Sequence, residues 1–201
     1  MKFPCSGVIL AGGQNKRFAG KNKALCRING QRIIDRIYLI FKAIFNEIIL
    51  VTNNPIEYLD WDVTIASDIV PVHSSLAGIH TGLFYTTAPY VFISACDTPF
   101  LKKELVECII EHIDPNFDAI IPETSAGLEP LCAAYSRECV NMMRQKLLEN
   151  KLKIQRIFNK NRIKKIPEPI LRKKDKDLIS FFNINSPEDL AIAQKMIEAS
   201  H

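Results

Sequence analysis

The chain has 201 residues, 47% hydrophobic and 24% charged, with a formal net charge of +4. That length suffices for one α/β domain with its own core, and the composition excludes a disordered or low-complexity chain. No apolar run reaches the roughly 18–20 residues that span a bilayer. The opening Met1–Cys5 lacks the apolar region and cleavage site of a secretory signal, so a cytoplasmic protein is expected.

In chain order, Gly7–Leu10 is a short apolar run stopped by glycines, and it reads as a strand buried on both faces. Ile33, Ile34, Ile37, Phe41, Ile44 and Phe45 then recur at helical spacing. Ile48–Thr52 is a second strand. Leu76, Ile79, Leu83 and Phe84 mark a second helix, with Gly78 and Gly82 one turn apart on it, suited to close packing or to ligand approach. Tyr90–Ala95 is a third strand. Thr98 and Pro99 are expected to cap and open a helix through Ile113. Ala119–Pro122 is a fourth strand, and the run Leu131–Tyr135 leads into a helix over Arg137–Glu149. Pro167-Glu168-Pro169 reads as a surface loop. Ser186-Pro187-Glu188-Asp189 places a serine cap, a first-turn proline and two acids at the start of the last helix. Strands alternating with helices specify an α/β fold: one doubly wound domain over 1–201, its sheet mostly parallel with helices on both faces.

Charge is distributed unevenly. Residues 151–176 hold eleven Lys and Arg against Glu168 and Asp175, leaving fifteen basic and twenty acidic side chains elsewhere. A basic stretch of this kind suits a localised anionic partner or a solvated surface. Aromatic residues do not alternate with it, so a nucleic-acid groove is not expected. No two of the six cysteines have C-x-x-C spacing, so all six are expected to be reduced and structural.

Four constellations carry chemistry. In Leu10-Ala11-Gly12-Gly13-Gln14-Asn15-Lys16-Arg17-Phe18-Ala19-Gly20-Lys21-Asn22-Lys23, a buried strand ends in two glycines and a cationic loop. Glycines there let backbone N–H groups approach an anion, at the sheet edge where open α/β folds bind ligands. Arg17 and Lys23 supply positive charge for a triphosphate. Neither a Walker A loop nor a dinucleotide fingerprint is present. Cys96-Asp97-Thr98-Pro99 sets a carboxylate at the end of the third strand, placed to hold Mg²⁺, which takes one or two protein carboxylates plus substrate phosphates. Asp68 is available to accept hydrogen bonds from a base or ribose. Asn183 and Asn185, one residue apart on an extended segment, point the same way, towards an organic substrate or a metal-bound water, or shape the turn into the last helix.

Together these elements resemble the molybdenum cofactor guanylyltransferases, the MobA-like branch of the nucleotidyltransferases. Leu10-Ala11-Gly12-Gly13, Arg17-Phe18, Gly20 and Lys23 follow the family's first motif, with Gly20 shifted by one. Leu76-Ala77-Gly78, Asp97-Thr98-Pro99, Pro130-Leu131 with Tyr135, and Asn183-Ile184-Asn185-Ser186-Pro187-Glu188-Asp189-Leu190 follow the later ones. The resemblance covers the whole chain and implies a Rossmann-like fold that joins the GMP part of GTP to molybdopterin and releases pyrophosphate. It implies that Leu10, Ala11, Gly12 and Gly13 line the nucleotide and that Lys23 contacts phosphate. Asp68 would recognise the guanosine part, and Asp97 would bind nucleotide and Mg²⁺. Thr52 falls where the family often has a nucleotide-contacting asparagine. Residues 1–100 would then form the nucleotide half and 101–201 the acceptor half. Three positions depart from the pattern: Asn22 replaces an aspartate, and Ser74-Ser75 replace Gly-Pro.

On this reading a phosphate oxygen of molybdopterin attacks the α-phosphorus of GTP, and pyrophosphate leaves. Lys23 and Arg17 hold the triphosphate, and the anionic pterin enters past Lys151, Lys153 and Arg156. GTP, molybdopterin and Mg²⁺ are the expected partners, joined by other cofactor-biosynthesis proteins or the acceptor apoenzyme; nucleic acid and membrane are not. The alternatives are a cytidylyltransferase acting on molybdopterin or a related phosphorylated acceptor, and a nucleotide-binding module without catalysis.

Overall fold

The computed structural model describes residues 4–13, 18 and 22–199. Its strands are β1 (Cys5–Leu10), β2 (Arg27–Ile28), β3 (Gln31–Arg32), β4 (Ile48–Val51), β5 (Thr64–Ala66), β6 (Tyr90–Ala95), β7 (Ala119–Thr124), β8 (Gly127–Leu128), β9 (Cys132–Ser136) and β10 (Ile163–Pro167). Its helices are α1 (Ile33–Ile44), α2 (Ser75–Tyr85), α3 (Lys103–Glu111), α4 (Val140–Leu148), α5 (Ile154–Ile157), α6 (Glu168–Leu171) and α7 (Pro187–Glu198).

The main sheet runs in the order β10-β7-β9-β6-β1-β4-β5, with β8 hairpinned onto β7. β1 lies between β4 and β6 and is parallel to both. β9 runs antiparallel between β6 and β7, the one reversal along this path. Strand alternation divides the core in two. Ile9, Leu50, Phe92 and Ile120 pack with α1, α3 and α7 on one face. Val8, Ile49, Val91 and Ile121 pack with α2, α4 and α5 on the other. Strands covered on both faces must be apolar at every position, which is why β1, β4, β6 and β7 stand out in the sequence. No described helix is long and apolar enough to cross a membrane, and all six cysteines are free thiols.

Gly82 is explained by packing. A Cβ built on it would lie 2.7 Å from Cγ1 of Val8, so α2 sits on β1 only because the position is bare.

Two local expectations are corrected. Thr98 does not cap α3: its hydroxyl donates back to the carbonyl of Ala95 at 3.0 Å, and α3 starts at Lys103 after the uncapped Lys102. Buried beside Ser94 and Ala95, that hydroxyl is held by the strand end and so is withheld from a helix. Nor is Pro167-Glu168-Pro169 a surface loop. Pro167 ends β10, an edge strand where a missing N–H is tolerated, and Glu168 and Pro169 open α6, where a first-turn proline is tolerated.

Candidate functional site

The parallel strands β1, β4, β5 and β6 all end on one edge of the sheet, and a cleft of about 350 Å³ opens there. Leu10, Gly12, Gly13, Lys23, Val51, Asp68, Ser74, Gly78, Asp97 and Leu131 are among its walls. Such an edge suits a ligand because the strand-to-helix loops converge on it.

The floor is the end of β1. Leu10 lines the cleft, and its carbonyl accepts from Cys96 N–H at 3.0 Å. Gly12 and Gly13 follow with no positive φ, so the turn itself does not demand glycine. A Cβ on Gly12 would meet no described atom within 4 Å, and one on Gly13 would meet only Cε of Lys23 at 3.9 Å. Packing against the described residues therefore does not account for the two glycines, and both line the cleft, where bare backbone suits close approach of a ligand.

Lys23 and Asp97 face each other across the floor, the ammonium on carboxylate Oδ2. The other oxygen of Asp97, Oδ1, is buried and makes no hydrogen bond among the described residues. A buried carboxylate oxygen without a donor is costly unless a cation or a ligand donor completes it. No described group of three or more His, Cys, Asp and Glu forms a self-sufficient metal cage. A single carboxylate with a vacant oxygen nonetheless fits Mg²⁺, which leaves most of its positions to phosphates and water. Neighbouring Cys96 is no nucleophile, because burial pushes its thiol up to about 12.

Asp68 makes the far wall. Asn53 holds it twice: its amide donates to Oδ2 at 3.0 Å, and its carbonyl oxygen accepts from the backbone N–H of Asp68 at 3.3 Å. The remaining oxygen, Oδ1, is buried without a partner among the described residues. Burial raises the pKa of this carboxyl, and the Asn53 bond only partly offsets it. The site thus presents two orphaned carboxylate oxygens, one beside a lysine and one away from it.

Ser74 and Ser75 also line the cleft. Ser74 is the N-cap of α2, accepting from the Ala77 N–H at 3.2 Å, so the positive end of α2 faces the same space.

Not every expected residue reaches the cleft. Ala11 is buried, its N–H bonded to the Val51 carbonyl. Thr52 is buried as well. Its hydroxyl donates to the Ala11 carbonyl at 3.4 Å and accepts from Asn54 N–H at 3.1 Å, and Val51 occupies the wall. Asn183 and Asn185 are exposed on either side of the buried Ile184, whose N–H donates to the Asp97 carbonyl at 2.9 Å. That bond brings the asparagine segment to the back of Asp97 and not onto the cleft wall. Arg17 lies outside the described residues. Of the basic stretch 151–176, Lys151, Arg162, Lys164, Lys165 and Arg172 form ion pairs with nearby acids. His73 lines the cleft without having been singled out, since it neither stands in a glycine turn nor bears a carboxylate, and Leu131, quoted above only as a motif residue, lines it as well.

Comparison with known proteins agrees with this geometry. Residues 7–165 match the MobA-like NTP transferase domain. The molybdenum cofactor guanylyltransferase of Desulfosudis oleivorans is 42% identical over 96% of both chains. A probable molybdenum cofactor guanylyltransferase of Natranaerobius thermophilus is 36% identical over 96% of both. The crystal structure of molybdopterin-guanine dinucleotide biosynthesis protein A from Archaeoglobus fulgidus superposes with a TM-score of 0.85 at 28% identity, covering 96% of this chain and 99% of that one. The fold and the site define a nucleotidyltransferase. The chain belongs to the MobA-like NTP transferase family.

Proposed function

We propose that this chain transfers GMP from GTP to molybdopterin in the cytoplasm, with Mg²⁺, releasing pyrophosphate. The observation that carries the reading is the cleft at the carboxyl edge, with its bare glycines, the Lys23–Asp97 pair and the vacant Oδ1 of Asp97. The relatives' names supply the two substrates.

On this reading the α- and β-phosphates lie over Gly12 and Gly13, where no described side chain obstructs them. Lys23 swings from Asp97 to the triphosphate, and we assign Arg17 the same charge-neutralising role. The base end extends toward Asp68 and the start of α2. Guanine offers a ring N–H beside an amino group, and the vacant Oδ1 of Asp68 is an acceptor for such a donor. A phosphate oxygen of the acceptor attacks the α-phosphorus, and the bond to the β-bridging oxygen breaks. When bound, Mg²⁺ would be held by Asp97 and the phosphates and would offset the growing negative charge. The protein's own share is alignment and fixed positive charge. We assign residues 1–100 to the nucleotide and 101–201 to the acceptor, because the cleft walls come from residues 10–97 apart from Leu131.

The test supplies molybdopterin and Mg²⁺ with GTP, CTP or ATP and measures pyrophosphate. GTP should be the preferred donor, and Asp97→Asn should lower the rate by about 10²–10³-fold, the scale of one lost electrostatic contact in a transition state. Equal release from all three nucleotides, or full activity in Asp97→Asn, would overturn the assignment.

A further inference from the structure

A second cavity, of about 400 Å³, lies beyond Asp97 on the same edge and takes no part in the nucleotide cleft. Thr124 and Glu129 of the β7–β9 connection form one side, and Phe181, Phe182 and Met196 are on its apolar side. The volume is within the range of small-molecule sites. One ring contact and one short stretch of chain link it to the reaction centre. The Phe182 ring packs on Phe100, three residues after Asp97, with centroids 5.8 Å apart. Leu131, two residues after Glu129, is itself a wall of the nucleotide cleft.

Glu129 is the unexpected member. It is partly buried and makes no ion pair among the described residues. Its side chain accepts from the Thr124 hydroxyl, which donates to Oε1 at 3.4 Å. Burial raises its pKa, and the Thr124 bond offsets this only in part. Arg172 lines the same cavity but is held by Glu168 and the Lys176 carbonyl and not by Glu129, so a ligand's donors would complete this carboxylate. Burial likewise raises the pKa of Asp68 at the other end of the site, where Oδ1 has no partner among the described residues. In the sheet order Asp68 follows β5 and Glu129 precedes β9, with Asp97 after β6 between them.

The two heterocycles that the reaction would join share one chemical edge. Guanine and the pyrimidinone ring of a pterin each carry a ring N–H beside an exocyclic amino group, two parallel donors matched by one carboxylate. We infer that Glu129 is the specificity residue for the acceptor, its carboxylate receiving the ring N–H and 2-amino group of a pterin that stacks against Phe181 and Phe182. The inference rests on the function proposed above and adds a residue to it. Asp68 and Glu129 are then equivalent readers, one for each heterocycle, on either side of the Lys23–Asp97 pair.

Pterins fluoresce, so binding to the full chain is read directly by titration with free pterin, and with lumazine, which has oxygen in place of the 2-amino group. The wild-type protein should bind pterin at least tenfold more tightly than lumazine. Glu129→Gln should erase that preference while GTP affinity stays unchanged. Glu129→Asp, which keeps the carboxylate, should retain the preference at lower affinity, and it decides the matter if the Gln variant fails to fold. With molybdopterin as acceptor, Glu129→Gln should raise KM for the acceptor at least tenfold with KM for GTP unmoved. Equal binding of pterin and lumazine by the wild type, or a preserved preference in Glu129→Gln, overturns the inference. Failure of the wild type to release pyrophosphate from GTP and molybdopterin overturns the function instead, and the two failures are told apart by that one control.

Discussion

At the residue scale, Asn22 shows how a departure from the family pattern is accommodated. The resemblance leads one to expect an aspartate before the lysine; here the amide of Asn22 donates to Glu57 at 2.6 Å and to the Tyr58 hydroxyl at 2.7 Å. Its carbonyl oxygen accepts from Ala24 N–H at 3.0 Å and caps the short turn that carries Lys23. An aspartate could keep the cap and the tyrosine contact, but it would set a second carboxylate against Glu57. Asn22→Asp should therefore destabilise the protein by about 0.5–1 kcal/mol, small because the contact is exposed. Adding Glu57→Gln should restore the loss, since glutamine can donate to the new carboxylate. Chemical denaturation of the two single variants and the double variant measures the coupling. Additive losses would show that Asn22 and Glu57 do not depend on each other, and the missing aspartate would then need another explanation.

At the element scale, the fit of α2 against β1 governs the cleft, because Gly78 of α2 lines it and packs on Leu10. Gly82→Ala would place a methyl against Val8, and two branched methyls of a β-strand cannot retreat as a flexible chain end would. The gain in helix propensity, about 1 kcal/mol, is outweighed by overpacking of about 1–3 kcal/mol. The variant should melt lower and bind GTP more weakly as α2 is pushed from the sheet; an unchanged melting temperature would show that the interface has slack. The same scale explains what the sequence disclosed. β1, β4, β6 and β7 were legible because burial on both faces makes them continuously apolar, and α7 because Ser186 and Asp189 form a complete capping box. β10 was hidden: of Ile163–Pro167 only Ile166 is fully buried, and Lys164 and Lys165 turn outward to Asp114 and Glu123. β5 has only three residues on the opposite edge. The small β2–β3 hairpin did carry a signal, Asn29-Gly30 with both φ angles positive, the pairing that a tight hairpin turn requires. In the cleft, Asp97 was legible as a carboxylate ending an apolar strand and Lys23 as a cation in the loop after two glycines, whereas Asp68 was singled out only as an acceptor because β5 was not foreseen. Glu129, proposed above for the acceptor, was not singled out, because an acid in a turn looks solvated until the fold sets it in one cavity with Phe181 and Phe182.

At the scale of the whole molecule, the site is assembled from loops that the sheet alone brings together, so occupancy and global stability must be linked. Gly12 and Lys23 follow β1, Asp68 and Ser74 follow β5, and Asp97 follows β6, so the site draws on three connections at one edge. Unfolding disperses them, so a ligand that needs all of them binds only the folded state. At a GTP concentration 100-fold above Kd, that linkage contributes about 2.7 kcal/mol. For a chain of 201 residues, each kcal/mol moves Tm by about 2–4 °C, so saturating GTP with Mg²⁺ should raise Tm by roughly 5–11 °C. The two buried orphan oxygens divide the effect. If Asp68 receives the base as proposed, the Tm shift of Asp68→Ala should shrink with Mg²⁺ or without it. If Asp97 holds the cation as proposed, the shift of Asp97→Asn should be the same in Mg²⁺ and in a chelator. Thermal melts of the wild type and both variants, each with and without GTP and Mg²⁺, separate the two roles. A magnesium-dependent shift that survives Asp97→Asn would place the cation elsewhere and would leave Asp97 as the partner of Lys23 alone.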